Sequence, residues 1–384
     1  MEIYFDNAAT TKVFEDVYDV VIDVMADEYY NPSSPYSAAF NIEKKLDTSR
    51  NIILKNLNLK GKIVFTSGGS ESNNLAIKGT LSKLRNAKII TSTIEHPSVK
   101  NTCIQAAKDF NCELITLPVD NKGYIIKDAL YDACKETDSA LISIMHINNE
   151  VGAIQPIEDL AKIAKDNISK CVFHSDGVQA FMKSNQFNSN SLIDLYSVSS
   201  HKVHGPKGVG ALFVKDKKSL NPITLGGGQE DNLRSGTYNT PGICGFGKAV
   251  ELINKKHNDY ISTMRKIKKV IVDSLDNSDI DYIVCGDTID KSAPHILNIA
   301  FKDIMGEVLL SAIDNDGLIA NTGSACSSKK TVVSPVLSAM NVDKKYIQGA
   351  LRLSFGAFST IEEANRAVEI IKNNVKRLRR FKRT

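Results

Sequence analysis

Leu195-Tyr196-Ser197-Val198-Ser199-Ser200-His201-Lys202 runs into Val203-His204-Gly205-Pro206-Lys207-Gly208-Val209-Gly210 and then Ala211-Leu212-Phe213-Val214. Residues 195–198 and 210–214 are short, nearly continuous apolar runs, as expected of strands covered on both faces. Between them a lysine follows a strand directly and precedes a glycine-rich turn. A lysine so placed can form a Schiff base with a carbonyl compound; the plainer alternative is an ordinary surface lysine. His201 and His204 hint at a metal, but no third ligand or carboxylate stands near them in sequence, so no metal site is expected.

Working outward, similar runs recur at 63–66, 88–91, 114–117, 140–144 and 172–175. Ile157, Leu160, Ala161 and Ala164 keep helical spacing between two of them, as do Val13, Val17, Val20, Val21 and Val24 near the start. Strands alternating with helices predict an α/β domain with a mostly parallel sheet. From about residue 260 the pattern changes: a long charged helix, strands at 296–300 and 351–355, and a last helix from Thr360. No internal repeat or low-complexity linker interrupts this order.

Ligands of open α/β sheets collect beyond the carboxyl ends of the strands. The 63–66 run leads into Ser67-Gly68-Gly69-Ser70 and a helix, whose first amides could cradle a phosphate or simply make a capped turn. The 172–175 run delivers Asp176, with Gln179 three residues on. A carboxylate there can pair with a protonated ring nitrogen, or merely cap the next helix. There is no GxGxxG after an early strand and no GxxxxGK[ST], so neither a dinucleotide fold nor a P-loop is supported.

Composition narrows the class. A chain of 384 residues suggests about two domains. Lys and Arg number 48 against 44 Asp and Glu, and the resulting +4 is too small to mark a nucleic-acid protein. The opening MEIYFDNAATTKVFEDVYDV lacks the basic start and apolar stretch of a secretory signal. No apolar run reaches the ~20 residues of a membrane helix. The seven cysteines are odd in number and form no CxxC, which speaks against a disulfide framework and for a reducing, cytoplasmic setting.

Taken together, FTSGGSESNNLAIKG (65–79), EHPSVKNT (95–102), NNEVGAIQPI (148–157), SVSSHKVHGPKGVGALFV (197–214), GGGQE (226–230), RSGTYNTP (234–241), GSACSS (323–328) and LRLSFG (351–356) resemble the cysteine desulfurases of the NifS/IscS-like group. These belong to the class V aminotransferase superfamily of fold-type I pyridoxal-phosphate enzymes. The resemblance runs from Tyr4 to about Phe358. It implies a large cofactor-binding domain over 13–258, with a mostly parallel mixed sheet between helices. A smaller α+β domain would combine 1–12 with 259–384. It implies that Lys202 holds pyridoxal 5'-phosphate through an imine, that Asp176 pairs with the pyridine nitrogen, and that Gln179 bonds the ring hydroxyl oxygen. His96 would stack on the ring and assist proton transfer. Gly69, Ser70, Ser199 and His201 would hold the phosphate, and Asn149 and Arg352 the carboxylate of L-cysteine. Thr237 would reach the cofactor of the other subunit, which implies a homodimer with shared active sites. Glu230-Asp231-Asn232-Leu233 departs from the Glu-Arg-Gly that the family often has there.

Cys326 selects the reaction. Its surroundings, Ala320 to Lys330, are small and polar and read as a mobile loop, with Lys329 and Lys330 favouring the thiolate. The other six cysteines sit in apolar or helix-like contexts where buried Cys is common. By resemblance Cys326 takes the substrate sulfur as a persulfide, leaving alanine. It then passes the sulfur to an acceptor, an iron–sulfur scaffold or a tRNA-thiolating enzyme, and is a transient iron–sulfur ligand at most. Selenocysteine lyase and class V aminotransferase are the alternative activities. The basic run 376–383 suits a solvated helix end better than a dock for RNA, so direct nucleic-acid binding is not expected.

Overall fold

The computed structural model describes residues 2–184, 186–323 and 333–381. β1 (Ile3–Tyr4) opens the chain. β2 (Lys62–Thr66), β3 (Lys88–Ser92), β4 (Leu114–Leu117), β5 (Ser139–Ser143), β6 (Lys170–Asp176), β7 (Leu195–Ser199) and β8 (Gly210–Val214) form a seven-stranded sheet in the order β2-β8-β7-β6-β5-β3-β4. β8 runs antiparallel to both its neighbours, and the remaining pairs are parallel. The mostly parallel α/β sheet expected from the apolar runs is therefore present.

Alternate residues of each strand serve opposite faces, which is why the runs are apolar throughout. In β2, Ile63 and Phe65 join the large core with Ile90, Ile142 and Phe173, whereas Val64 packs with Leu75, Leu195 and Leu212 on the other face. The helices Gly69–Leu81, Pro97–Asp109, Lys127–Cys134 and Ile157–Asn167 fill the connections between strands. Thr240–Lys255 packs on Glu15–Ala26 and Ser37–Leu57.

A second core lies around β9 (Tyr282–Cys285), β10 (Ile296–Phe301), β11 (Leu318–Ile319) and β12 (Ala350–Ser354). β12, β10 and β9 make an antiparallel sheet, and β1 pairs in parallel with β11. Ile3 and Phe5 from the start of the chain bury there beside Ile267, Ile271, Leu353 and Val375. The helices His257–Asp276 and Ile361–Phe381 cover this core. Several cations of the last helix are engaged: Lys376 pairs with Asp279 at 2.7 Å, and Arg379 donates to the Asp281 carbonyl at 2.7 Å. Lys382 and Arg383 lie outside the described residues. Among the described residues no helix is long and apolar enough to cross a membrane.

The departure at 230–232 has a physical counterpart. Glu230, Asp231 and Asn232 all take positive φ, at 53°, 57° and 65°. Each left-handed residue costs about 1–2 kcal/mol, so three in a row need an outside anchor. Glu230 supplies it. Its buried carboxylate accepts from both Arg50 terminal nitrogens, at 2.7 and 3.0 Å, and from the Phe65 amide at 3.0 Å. Arg50→Ala strands that carboxylate, and we expect a loss of about 3 kcal/mol in urea unfolding. An unchanged unfolding midpoint would show that the turn holds itself.

Candidate active site

β2, β6 and β7 point the same way, as the two reversals at β8 require, so their carboxyl ends share one edge. That edge receives the start of the Gly69–Leu81 helix, Asp176 and the Ser200–Lys202 turn. The sequence brings backbone close to backbone here: a Cβ on Gly210 would sit 2.6 Å from the Gly68 Cα. No side chain caps the Gly69–Leu81 helix, so its first amides, including those of Gly69 and Ser70, stay open to an anion. Ser199 contributes a buried hydroxyl without a hydrogen-bond partner among the described residues. Open helix amides beside a buried orphan hydroxyl fit a phosphate.

Lys202 lies deeper. Its Nζ donates to the carbonyls of Ala8 at 2.5 Å and Ala9 at 2.7 Å. Burial, helped by the Arg352 cation, pushes this amine down to about 8, although Asp6 and Asp176 pull the other way. Gln179 also donates to the Ala8 carbonyl, at 2.9 Å, and its Oε1 lies 3.3 Å from His295 Nε2. Asp176 is buried. One oxygen accepts from the Val178 amide at 3.0 Å, a local turn bond, and the other from Asn73 Nδ2 at 2.8 Å. No helix follows Asp176 among the described residues, so the helix cap that the sequence allowed is a turn closure instead. A pyridoxal ring fits these groups: an amine for the aldehyde, a buried carboxylate for the ring nitrogen, and the phosphate cradle beyond.

Arg352 projects from β12 toward the same place. Its Nη1 donates to the Asn149 carbonyl at 3.0 Å and its Nη2 to Asp6 at 2.8 Å, while the buried Nε has no partner among the described residues. The guanidinium is therefore fixed by Asp6 before any substrate arrives. Asn149 touches it through the backbone rather than the side chain. His201 sits near Thr10 Oγ1 at 3.3 Å, and burial with three nearby lysines lowers its ring to about 4, so it is neutral. His204 turns to the Lys12 carbonyl and the Ala357 amide instead.

His96 is exposed at the start of the Pro97–Asp109 helix, and its Nδ1 accepts from the Ser98 amide at 3.1 Å. Loss of surrounding water, reinforced by Lys202 and opposed by Asp176, lowers its pKa. The preceding Glu95 is buried. Its Oε1 accepts from Ser92 and the Met145 amide, its Oε2 has no partner among the described residues, and burial raises the carboxyl to about 8. Thr237 is exposed and lines a separate cleft of about 90 Å³ with Thr66, Ser67 and Glu230. Cys326 lies outside the described residues. Asp6, Asn73, Glu95 and Ser98 were not singled out by sequence, although each stands inside a quoted motif or in the opening segment. Each has at least one partner 25 or more residues away in the chain, which only the fold reveals.

The chain matches the family described as aminotransferase class-V over residues 3–366. It is 37% identical over 382 residues to the cysteine desulfurase IscS of Dictyoglomus turgidum, covering 98% of this chain and 95% of that one. It is 36% identical over 380 residues to the putative cysteine desulfurase IscS 1 of Bacillus subtilis, covering 98% and 99%. Among solved structures, a NifS-like protein superposes with a TM-score of 0.90 at 33% identity, covering 98% of this chain and 100% of the other. SspA in complex with cysteine reaches 0.78 at 31% identity, covering 94% and 100%.

Burial of Lys202 and Glu95 has two measurable consequences. Only the neutral amine of Lys202 attacks an aldehyde, and below about 8 its neutral fraction falls about tenfold per pH unit. The rate at which protein stripped of cofactor takes up pyridoxal 5'-phosphate, followed by absorbance, should rise from pH 6 and level off above about 8.5. A rate still climbing at pH 10 would contradict the burial of this amine. Glu95 binds its proton more tightly folded (about 8) than unfolded (4.5), so the folded chain holds the extra proton between those values. Stability therefore falls as pH rises through that window. Glu95→Gln should flatten the fall in urea titrations at pH 5 and pH 8, and equal slopes would refute it.

Proposed function

Because this chain belongs to the class-V aminotransferase family, we propose that it works as a pyridoxal-phosphate-dependent cysteine desulfurase. The observation that carries the reading is the convergence of Lys202, Asp176, Gln179 and Arg352 on one edge of the sheet, beside an open phosphate cradle. Pyridoxal 5'-phosphate, when bound, supplies an electron sink that makes the α-proton of an amino acid removable. The chain would hold it with Lys202, Asp176, Gln179, Ser199, His201 and the Gly69–Ser70 amides.

The rest is the work of the protein's own groups. Arg352, already fixed by Asp6, binds the carboxylate of L-cysteine with its remaining N–H groups, helped by Asn149. Lys202 Nζ, with a pKa near 8, takes the α-proton and later returns one. His96 covers the ring and assists proton transfer. Cys326 attacks the substrate sulfur as a thiolate: a sulfur–sulfur bond forms and the bond from Cβ to Sγ breaks, its electron pair staying with carbon. L-cysteine and the Cys326 thiol become L-alanine and the Cys326 persulfide, which balances in atoms and electrons.

The six described cysteines support this choice by contrast. Burial pushes the thiols of Cys103, Cys171 and Cys285 up to about 12 and those of Cys134 and Cys244 to about 11, and it raises Cys112 as well. Thiols held in that state are poor nucleophiles. The persulfide sulfur then passes to an acceptor protein, an iron–sulfur scaffold or a tRNA-thiolating enzyme, in a reducing cytoplasmic setting. The working form is a homodimer in which Thr237 reaches the other copy's cofactor. The exposure of Tyr18, Ile22, Met25, Tyr29 and Phe40 supports a second copy, since such apolar surface favours burial. Residues 13–258 form the cofactor domain, and 1–12 with 259–384 the smaller one, a division supported by the burial of Ile3 and Phe5 against 264–375.

Cys326→Ala should stay yellow with bound cofactor yet lose about 10³-fold or more in sulfide release with cysteine and a thiol reductant. Lys202→Ala should lose the imine that borohydride traps. Full sulfide release by the first variant would sink the proposed nucleophile, and a trapped imine in the second would move the cofactor lysine elsewhere.

A further inference from the structure

A chain of hydrogen bonds joins the two ends of the cofactor pocket. Asn73 Nδ2 donates to Asp176 Oδ2 and to Ser98 Oγ, both at 2.8 Å. Both of its N–H bonds are thereby used. Ser98 Oγ in turn lies 2.8 Å from His96 Nδ1. Turning the Asn73 amide over would press its oxygen against the Asp176 carboxylate, so the direction of the chain is set at that end.

The direction is set again at the other end. The Ser98 amide also reaches His96 Nδ1, at 3.1 Å, and a backbone N–H can only donate. Nδ1 is therefore an acceptor and carries no proton. Ser98 Oγ receives from Asn73 and so has its own hydrogen free to give to Nδ1. The neutral ring must then carry its single proton on Nε2, the nitrogen away from the helix, which has no protein partner among the described residues. His96 also sits at the positive end of the Pro97–Asp109 helix, which disfavours a cationic ring.

We propose that Asn73 and Ser98 are positioning residues that lock His96 as the neutral Nε2–H tautomer, so that the ring serves as a hydrogen-bond donor and not as a base. An imidazole protonated at Nε2 cannot accept a proton at that atom. Proton removal is thereby left to Lys202, and His96 presents an N–H to whatever lies over the cofactor face. Asp176 and Lys202 act on the ring in opposite senses, and Glu95 next door is occupied with Ser92 and Met145. The carboxylate proposed to face the ring nitrogen and the imidazole proposed to cover the ring are thus held by one asparagine. This deepens the proposed function and rests on its placement of His96 over the cofactor.

The test is nitrogen NMR of histidine-labelled protein with and without cofactor, His96 being assigned from the signal lost in His96→Asn. The expected wild-type pattern is a bare Nδ1 and a protonated Nε2. Ser98→Ala removes one donor to Nδ1 and leaves the amide. It should keep the tautomer, which the amide still sets, and raise the titration midpoint of His96 by about 0.4 to 1 pH unit, the worth of one hydrogen bond. Ser98→Thr keeps the hydroxyl and should restore the wild-type midpoint. A proton on Nδ1 in the wild type, or a Ser98→Ala protein with an unchanged midpoint, would overturn the proposal. Normal sulfide release by His96→Asn would instead count against the role given to His96 in catalysis and leave the tautomer result standing.

Discussion

The site hangs from the carbonyl of Ala8. That single oxygen accepts from Lys202 and from Gln179, so the amine and the Gln179 amide are referenced to one atom. The residues around it are tied as firmly. The Asn7 side chain donates to the Ser354 carbonyl, the Ala8 amide donates to the Ser354 hydroxyl, and the Thr11 hydroxyl bridges the backbone of His201 and His204. A short segment with little regular structure thus fixes the lysine turn of the large sheet against β12. Displacing it would move Lys202 and Arg352 apart together.

Asp6 extends the same logic to Arg352. A buried guanidinium without a counter-charge is costly, and Asp6 removes much of that cost while setting the direction of the fork. Its other oxygen accepts from Asn321, which also shares backbone bonds with Arg352. The carboxylate therefore orders the cation and the strand-like stretch ahead of Gly323 at once. Glu150, next to Asn149, accepts from Ser334 on the far side of that stretch.

Much of the large sheet could be read directly, because strands buried on two faces are apolar at every position. β2 through β8 fall where those runs stand, within a residue or two. β1 and β11 are two residues each and exist only by pairing with one another, so no local pattern announces them. β9 is half-buried along most of its length, which blurs both periodicities. In the site, Lys202 and Asp176 stand out in the sequence because a charged residue at a strand end is conspicuous. Asn73, Ser98 and Asp6 do not, since a polar residue in a helix or loop looks alike whether it faces water or a carboxylate. What sets them apart is a partner 25 to 346 residues away.

The distance between Asp6 and Arg352 also bears on how the protein is made. Residue 6 leaves the ribosome long before residue 352 is translated, so the opening segment must wait, unpartnered, through most of synthesis. A nascent chain can complete the large sheet and bury Lys202's strand while Arg352 does not yet exist. The tie between the two ends of the chain, and with it the placing of Lys202 relative to Arg352, is thus among the last contacts to form.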